Sequence, residues 1–239
     1  MAKSAALNIP LPARGERETV NQWVYRVLRE AVMIGRIPPG RPLTIREIAA
    51  ALDVSTMPVR EALRRLASEQ ALEVRDNRRV LVPHMTAARF QELCELRIAI
   101  ESHAAERALP WLTEATLEQL AEVDRGIDAA NTAGDVEQAT ILNQQFHRII
   151  YTANPHQTAM PLVESLWLQL GPFVRLALSR LSDHYTVDRH AEALTAIRRR
   201  DAMALRVAIG ADIRDGITHA GTAELLNAYI GSAGESSGP

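Results

Sequence analysis

The chain has 239 residues, of which 47% are hydrophobic and 23% charged, enough for a packed core in one large domain or two modest ones. Its one cysteine, Cys94, excludes an intramolecular disulfide and a cysteine-based zinc knuckle, and we expect a small core residue rather than a redox sensor. The first fourteen residues lack the apolar segment of a signal peptide, and the most apolar stretch, 162–181, contains charged residues and a proline. We therefore expect a cytoplasmic protein that makes no contact with a membrane.

The net charge of −2 conceals an uneven distribution along the chain. Residues 1–83 contain fourteen Lys and Arg against nine Asp and Glu, whereas residues 84–239 contain thirteen against twenty. Thirteen of the fourteen basic residues in the first part are arginines, which suit bidentate contacts to phosphate and guanine. The asymmetry predicts that the N-terminal part alone meets a polyanion, although chance gives such a split in some proteins.

The N-terminal elements follow a recognisable order. After residues 1–15, which we predict to be disordered, an amphipathic helix covers about 18–34 and stops at the turn around Pro38–Gly40. A capping-box spacing at Thr44–Glu47 starts a short helix, and Ser55 or Thr56 caps a second helix. Two strand-like segments, 72–75 and 80–83, are joined by a turn of polar residues. This order predicts a winged helix-turn-helix domain over residues 16–84.

From Met85 onward the pattern predicts helices and no further strand. Breakers such as Pro110, Gly134 and Asn154–Pro155 separate the apolar-periodic segments. We therefore predict a mainly α protein whose all-helical second domain covers residues 85–230, followed by a disordered tail over residues 231–239. Its helices are predicted at about 86–109, 114–132, 135–152, 156–181, 186–200 and 201–228.

In a winged helix-turn-helix, the second helix lies in the major groove with its N-terminal residues toward the bases, and the wing tip reaches the adjacent minor groove. The same pattern of paired helices with surface arginines also occurs in proteins that do not bind DNA. On this basis the predicted DNA-binding residues are Arg46, Ser55, Thr56, Met57, Pro58, Arg60, Arg64, Asn77 and Arg78.

The run Val54-Ser55-Thr56-Met57-Pro58-Val59-Arg60-Glu61-Ala62-Leu63-Arg64-Arg65-Leu66 resembles the DNA-binding domain of GntR-type regulators, whose hallmark is V-S-x-x-P-V-R-E-A-L-x-x-L. The resemblance implies a regulator that binds operator DNA. Thr56 stands where the family often has arginine, so the operator sequence cannot be carried over. Gln70 and Arg79 stand where the family usually has glycine.

The helical part resembles the FCD domain of the FadR-type branch of that family. The residues that carry the resemblance include Glu95-Leu96-Arg97, Phe146-His147 with Ala153-Asn154-Pro155, and Asp188-Arg189-His190. The resemblance implies a helical bundle, a homodimer on a palindromic operator, and an effector cavity that often holds a divalent metal.

Four polar residues on apolar helix faces predict a polar centre in this domain. Asn143 and His147 are one turn apart, and His190 and Asp212 each follow an apolar stripe. A carboxylate on a buried stripe needs a partner or a metal. In the metal-binding branch of the family the set is Asp, His, His, His; here the first is Asn143 and the last Asp212. We expect either a divalent ion (Zn, Mn, Ni or Fe) or an empty polar cavity in which Asp212 pairs with a histidine.

The resemblance also marks residues for an effector. Arg97, with Glu101 one turn later, is the candidate to hold a carboxylate by bidentate pairing, and Arg175 is a second candidate. The alternative is that Arg97 forms a salt bridge with Glu101 or Glu95.

Three functions remain open from the sequence. The first is a regulator, most often a repressor in this family, that a small carboxylate metabolite releases from its operator. The second is a regulator for which the metal ion itself is the signal. The third is a metal-dependent enzyme using His147, His190 and Asp212, against which we find no separate general base or nucleophile motif and no reason for the arginine-rich N-terminal part.

Overall fold

The computed structural model describes residue 7 and residues 9–75, 79–178 and 189–218. These residues form a mainly helical protein with one small sheet, as the sequence predicts. By contacts the chain divides into unit 1, Met1–His84 with Trp167–Phe173, and unit 2, Met85–Leu166 with Val174–Pro239. The elements are α1 (Val20–Met33), β1 (Leu43–Thr44), α2 (Ile45–Ala51), α3 (Thr56–Ser68), β2 (Glu73–Val74), β3 (Arg79–Leu81), α4 (Ala87–Ala108), a 3₁₀ turn (Leu109–Trp111), α5 (Glu114–Thr132), α6 (Val136–Thr152), α7 (Met160–Leu178), α8 (Arg189–Arg198) and α9 (Ala202–Thr218).

Local capping sets the starts of α1 and α2 in unit 1, whereas Ser55, at the start of α3, makes no side-chain cap bond, although the sequence predicts a cap from Ser55 or Thr56. The Thr19 hydroxyl oxygen accepts a hydrogen bond from the backbone N–H of Gln22, and the Gln22 side-chain oxygen accepts one from the backbone N–H of Thr19. Thr44 and Glu47 form the same reciprocal pair at the start of α2, as the sequence predicts. Each capping box satisfies helix N–H groups that otherwise lack partners. The three helices bury apolar side chains in a common core: Val24, Leu28, Ile48, Val59, Leu63 and Leu66.

The sheet of unit 1 has the order β1-β3-β2, with both pairings antiparallel. The sequence predicts β2 and β3 as the wing but misses β1, which is only two residues long and so carries no period. Leu43 becomes a strand residue because it pairs with Val80 and both side chains are buried. The tip of the wing, residues 76–78, lies outside the described residues.

Two turns in unit 1 use the left-handed backbone conformation at residues other than glycine. Asp53, between α2 and α3, has a φ of 51°, and Gln70, after α3, has a φ of 58°. At Gln70 the chain makes the helix-ending bonds Gln70 N–H to Ala67 O and Ala71 N–H to Leu66 O. This conformation gives the physical reason for the glycine that the family usually has at this position.

Residues 9–15, part of the segment that the sequence predicts to be disordered, make contacts with the start of α1 and the loop before it. Ile9 is buried, and the Trp23 indole N–H donates to the carbonyl oxygen of Pro12 at 2.8 Å. The backbone N–H of Gly15 donates to Glu18 Oε2 at 3.1 Å. An apolar anchor and a partner for the indole hold residues 9–15 in place; residues 1–6 and 8 lie outside the described part.

All secondary-structure elements in the described residues of unit 2 are helices. Thr86, Thr113 and Asp135 cap α4, α5 and α6 with side-chain oxygens that accept from backbone N–H groups three residues later. Helix α7 begins at Met160, later than the predicted residue 156, because the Asn154 side chain accepts from the backbone of His156 and holds a turn. None of the described helices is long and apolar enough to cross a membrane.

Candidate functional site

Three helices bring His147, His190 and Asp212 together inside unit 2. They stand on α6, α8 and α9, and all three are buried. His147 Nε2 lies 3.1 Å from Asp212 Oδ2, and His190 Nε2 lies 3.7 Å from Asp212 Oδ1. One ligand atom from each residue lies within 4.8 Å of the other two, which is close enough for a single ion after small side-chain shifts. The structure thus joins three of the four residues that the sequence selects for a metal.

The other ring nitrogen of each histidine has its own partner. His190 Nδ1 lies 2.8 Å from Asp124 Oδ1 on α5, and since a carboxylate only accepts, Nδ1 carries the hydrogen. His147 Nδ1 lies 2.9 Å from the Tyr151 hydroxyl, which itself donates to Glu101 Oε2 at 3.0 Å. Because the tyrosine hydrogen goes to Glu101, its oxygen accepts from His147 Nδ1–H. In the neutral form both histidines therefore turn an Nε2 lone pair toward Asp212.

His190 Nε2 also has the Asn143 amide nitrogen at 3.4 Å, whereas a lone pair on His147 Nε2 would face the Asp212 carboxylate at 3.1 Å and would need a positive group between them. Either a proton on Nε2 or a shared cation meets that need. The described contacts of the centre include the carboxylates of Asp212, Asp124 and Glu101 and the guanidinium of Arg97. Buried carboxylates need a cationic or hydrogen-bonding partner, and a bound cation is one that these residues could share.

Asn143 lies at the edge of the centre, with its side-chain Nδ2 3.4 Å from His190 Nε2. Rotation of the amide by half a turn brings Oδ1 to the same position, so the residue offers an oxygen at the point where the metal-binding branch has a carboxylate. The ring of Phe146 stacks on His190 with a centroid distance of 4.2 Å and thereby fixes the imidazole plane. The donor set is two imidazoles, one carboxylate and one amide.

Arg97 and Glu101 join the same network from α4. Arg97 Nε–H donates to Glu101 Oε1 at 2.7 Å, and Glu101 is fully buried. Burial opposes the charged form of Arg97, but the carboxylate of Glu101 outweighs it and raises the pKa of the guanidinium. Burial, together with the charge of Glu101, raises the pKa of Tyr151 well above 10, so its hydroxyl stays a donor. The ion pair with Glu101 is the alternative that the sequence leaves open for Arg97.

Arg175, the second residue predicted for an effector, pairs with Glu137. Its Nη1–H donates to Glu137 Oε2 at 2.8 Å, and both side chains are about half-buried. This pair joins α7 to α6.

Asp124 and Tyr151 belong to the centre but are absent from the sequence prediction. Asp124 follows the buried positions Leu117 and Leu120 of α5 at spacings of seven and four residues, the same carboxylate-on-an-apolar-stripe pattern that identifies Asp212. Tyr151 is one turn after His147. The position of Asp124 on an apolar stripe and of Tyr151 one turn after His147 can be read from the sequence. The residues that each of them contacts cannot.

The predicted DNA-binding residues of unit 1 differ in exposure. Met57 is 70% exposed, and Arg46, Ser55 and Arg60 are also exposed, while Thr56 is half-buried. The Ser55 hydroxyl makes no capping bond to α3, which leaves it available to a phosphate or base. Of the same face, Arg64 pairs with Glu61 at 3.0 Å in a solvent-exposed ion pair.

Pro58 is buried, so the structure assigns it a role in starting α3 rather than on its surface. The wing-tip residues Asn77 and Arg78 lie outside the described residues. The exposed residues of α3 and its N-cap include Ser55, Met57, Arg60, Glu61, Arg64, Arg65 and Ser68, of which Arg65 lies over the Tyr25 ring at 3.7 Å from its centroid.

Cys94 is buried in α4, as the sequence predicts for a core residue. Burial raises the pKa of its thiol from 9.0 to about 12. The thiolate that redox chemistry requires is therefore scarce near neutral pH.

Comparison with known proteins assigns both parts of the chain. Residues 21–82 match bacterial regulatory proteins of the gntR family, and residues 92–215, more than half of the chain, match the FCD domain. The transcriptional regulator McbR of Escherichia coli is 29% identical over 202 residues, covering 80% of this chain and 89% of McbR. The transcriptional repressor RspR of E. coli and the gluconate operon repressor of Bacillus subtilis are each 27% identical, covering 80% and 73% of this chain and 85% and 74% of their own lengths.

Solved structures support the same assignment. E. coli McbR/YncC superposes with a TM-score of 0.79 at 26% identity, covering 84% of this chain and 97% of that one. A GntR-family regulator from Pseudomonas syringae gives a TM-score of 0.53 at 26% identity, covering 95% and 93%. Helix-turn-helix, wing, helical bundle and sequence thus agree: the chain belongs to the GntR family of DNA-binding transcriptional regulators, in the branch with an FCD domain, and is not an enzyme.

Proposed function

We propose that this protein represses transcription as a homodimer on a palindromic operator, and that a small carboxylate metabolite, bound beside a divalent metal in unit 2, releases it. The observation that supports the proposal is the buried cluster of His147, His190 and Asp212, whose ligand atoms lie within 4.8 Å of one another. Two imidazoles and a carboxylate in a buried site favour the binding of a divalent cation, and such a cation attracts a carboxylate ligand.

On the DNA side, the exposed N-terminal turn of α3 supports insertion in the major groove. Arg60 is the candidate for a guanine edge, and Ser55 for a phosphate. Arg46, exposed at the start of α2, is the candidate for a backbone contact. Thr56 replaces the arginine that the family often has, so base readout rests more heavily on Arg60 and on the wing-tip residues Asn77 and Arg78.

The four residues that would hold the metal fit a divalent ion with mixed nitrogen and oxygen ligands. His147 and His190 offer Nε2, Asp212 a carboxylate oxygen, and Asn143 an amide oxygen. Two oxygens among four ligands favour manganese, nickel or iron somewhat over zinc, compared with a site of three histidines. A divalent ion held by these residues would supply a Lewis acid for a carboxylate ligand, and Tyr151 and Asp124 would hold the imidazoles in the ligating tautomer.

For the effector, Arg97 remains the candidate cation. Glu101 engages its Nε and Nη2 groups, and a guanidinium has five N–H donors, so further acceptors are compatible with this ion pair. Repression is supported by the relatives RspR and the gluconate operon regulator, which are named repressors. Effector binding would act by favouring the state with lower operator affinity.

The metal part is tested by elemental analysis of the purified protein and of the variants His147→Ala and His190→Ala. Both variants should lose the ion together, whereas His156→Ala, an exposed histidine in the same unit, should keep it. Full occupancy in both variants would remove this metal site.

A second measurement separates a metabolite-responsive regulator from a metal sensor. Metal-free protein, prepared by chelation and dialysis, is assayed for binding to a DNA fragment selected by the wild-type protein from a random library. Under the proposal, adding the metal alone leaves operator binding intact. Release by the metal alone would make the ion the signal and exclude the metabolite.

A further inference from the structure

Four side chains of unit 2 are joined in series by hydrogen bonds, and we call them the His147–Arg97 network. The series starts at His147, a candidate metal ligand, whose Nδ1 lies 2.9 Å from the Tyr151 hydroxyl oxygen. That hydroxyl donates to Glu101 Oε2 at 3.0 Å, and Glu101 Oε1 accepts from Arg97 Nε–H at 2.7 Å. Arg97 is in turn the candidate residue for the effector carboxylate. The network therefore connects a metal ligand to the residue proposed for the effector.

The donors and acceptors of this network are fixed by the atoms that form it. The Glu101 carboxylate has no hydrogen to donate, so it accepts from both Tyr151 and Arg97. The tyrosine hydroxyl has one hydrogen, which it donates to Glu101, so its oxygen accepts from His147 Nδ1–H. Two donors, one from each end of the network, thus share a single carboxylate.

Burial makes the network sensitive to a new charge at either end. His147 is 1% exposed, Tyr151 and Glu101 are 0% exposed, and the Arg97 side chain is 13% exposed. Hydrogen bonds shielded from water are electrostatically stronger and polarise one another. A cation on His147 Nε2 makes Nδ1–H a stronger donor to Tyr151, and the Tyr151 hydroxyl then becomes a stronger donor to Glu101. Because more of the negative charge of Glu101 is then engaged by Tyr151, less of it offsets the positive charge of Arg97.

Tyr151 joins the two halves of the network. His147 and Tyr151 are one turn apart on α6, and Arg97 and Glu101 are one turn apart on α4. The tyrosine hydroxyl makes both the bond to the histidine and the bond to the carboxylate. Phenylalanine at this position keeps the ring and removes both bonds, so the network has one point at which it can be opened.

We propose that Tyr151 is a positioning residue that couples cation binding at His147 to the Arg97–Glu101 ion pair, so that a bound divalent ion makes Arg97 a better site for a carboxylate. The inference rests on the proposed function, in which both ligands bind in unit 2, and adds how the binding of one promotes the other. Such coupling is reciprocal, because a carboxylate held by Arg97 strengthens metal binding by the same factor. Every hydrogen stays on its own donor atom throughout.

The test follows the Arg97 Nε–H signal by NMR in the full-length protein, without DNA and without an effector. The signal is assigned by its loss in Arg97→Lys, and Zn²⁺ is the probe because it is diamagnetic. Saturating Zn²⁺ should move the Nε proton of the wild type upfield, because its bond to Glu101 weakens. In zinc-saturated Tyr151→Phe the shift should be less than about half that of the wild type, because the direct field of the ion remains while the hydrogen-bonded path is lost.

Two control variants separate this coupling from a general loss of structure or of metal affinity. Tyr25→Phe is the matched control, since Tyr25 also donates to a glutamate, Glu69, but in unit 1. It should keep the full zinc-dependent shift of Arg97. Asp124→Asn acts on the other imidazole, His190, and lowers zinc affinity. At saturating Zn²⁺ it should keep the shift as well.

A second measurement needs no variant and decides the question if Tyr151→Phe fails to fold. Zinc binding to the wild type should move the Tyr151 hydroxyl proton downfield, because its bond to Glu101 becomes stronger. A zinc-bound wild type in which the Tyr151 and Arg97 protons do not move would overturn the inference and leave the metal site in place. A Tyr151→Phe variant that responds as fully as the wild type would do the same. Wild-type protein that binds no Zn²⁺ would overturn both the inference and the metal site of the proposed function.

Discussion

Asp124 Oδ1 lies 2.8 Å from His190 Nδ1, and this bond turns the opposite nitrogen of the ring toward Asp212. The aspartate comes from α5 and the histidine from α8, so the ring orientation depends on two helices that are distant in sequence. Carboxylates behind ligating histidines fix the tautomer and raise the basicity of the ligand nitrogen. Asp124 is thus a positioning residue for the centre.

Asp124→Ala should weaken divalent metal affinity by about 10- to 100-fold while leaving the fold intact. Without the carboxylate, Nδ1–H loses its acceptor and the imidazole can take the other tautomer. Isothermal titration of the metal-free protein with Mn²⁺ and Zn²⁺ measures the change. Asp128→Ala, one turn later on the exposed side of α5, is the control, and equal affinities in the two variants would contradict the role of Asp124.

Arg60→Ala should weaken operator binding by roughly tenfold or more at fixed salt, since one bidentate guanine contact discriminates by about 1–3 kcal/mol. Fluorescence anisotropy with the selected DNA fragment gives the dissociation constant, and Arg125→Ala in unit 2 gives the baseline. If Arg60 reads a base, tolerance should widen at one operator position. If it contacts a phosphate, binding should fall uniformly and the salt dependence should decrease.

Gln70→Gly should stabilise the protein by about 0.5–1 kcal/mol, because a residue with a side chain is strained in the left-handed region and glycine is not. The native φ of 58° at this position carries the prediction. The urea midpoint is the measurement. Ala67→Gly, still inside α3, should instead destabilise by up to about 1 kcal/mol, and a lower midpoint for Gln70→Gly would show that the turn is not strained.

Cys94 should react slowly with thiol reagents in the native protein at pH 8 and quickly in urea. Its folded pKa of about 12 exceeds the ordinary 9.0, so the protonated thiol favours the folded state. This contribution is complete below pH 9 and is lost as the pH rises toward 12. The gap in urea midpoint between wild type and Cys94→Ala should accordingly shrink from pH 8 to pH 11; a constant gap would mean that the thiol does not titrate differently on folding.

Local patterns predict much of this fold. Thr44 and Glu47 mark a helix start by side-chain chemistry alone, and the apolar stripe of α5 gives the helix its predicted bounds. Strand β1 escapes prediction because its partner, Val80, is distant in sequence. The contacts of residues 9–15 are not predictable for a similar reason, since they depend on the burial of Ile9 and on the hydrogen bond from Trp23 to Pro12.

The candidate metal centre could likewise be predicted from the sequence only in part. Periodicity identifies His147, His190 and Asp212 as polar groups on apolar faces, and the resemblance to a family joins them into one set. No pattern along the chain shows that Glu101 pairs with Arg97 instead of Glu95 or a ligand, because both carboxylates are within reach on a helix. The partner of Arg97 depends on which carboxylate the neighbouring helices bury. Here Glu101 is the buried one, and it also accepts a hydrogen bond from Tyr151.

The capping residues of unit 2 separate the positions that set helix starts from the positions that form the centre. Thr86, Thr113 and Asp135 cap the starts of α4, α5 and α6 through contacts within three residues. Helices anchored in this way keep their register when a residue at the centre changes. Asn143 lies in α6, whose start is set by Asp135, so a substitution at residue 143 should leave the start of that helix in place. The ligand preference of the centre can in this sense change while the starts of these helices stay the same.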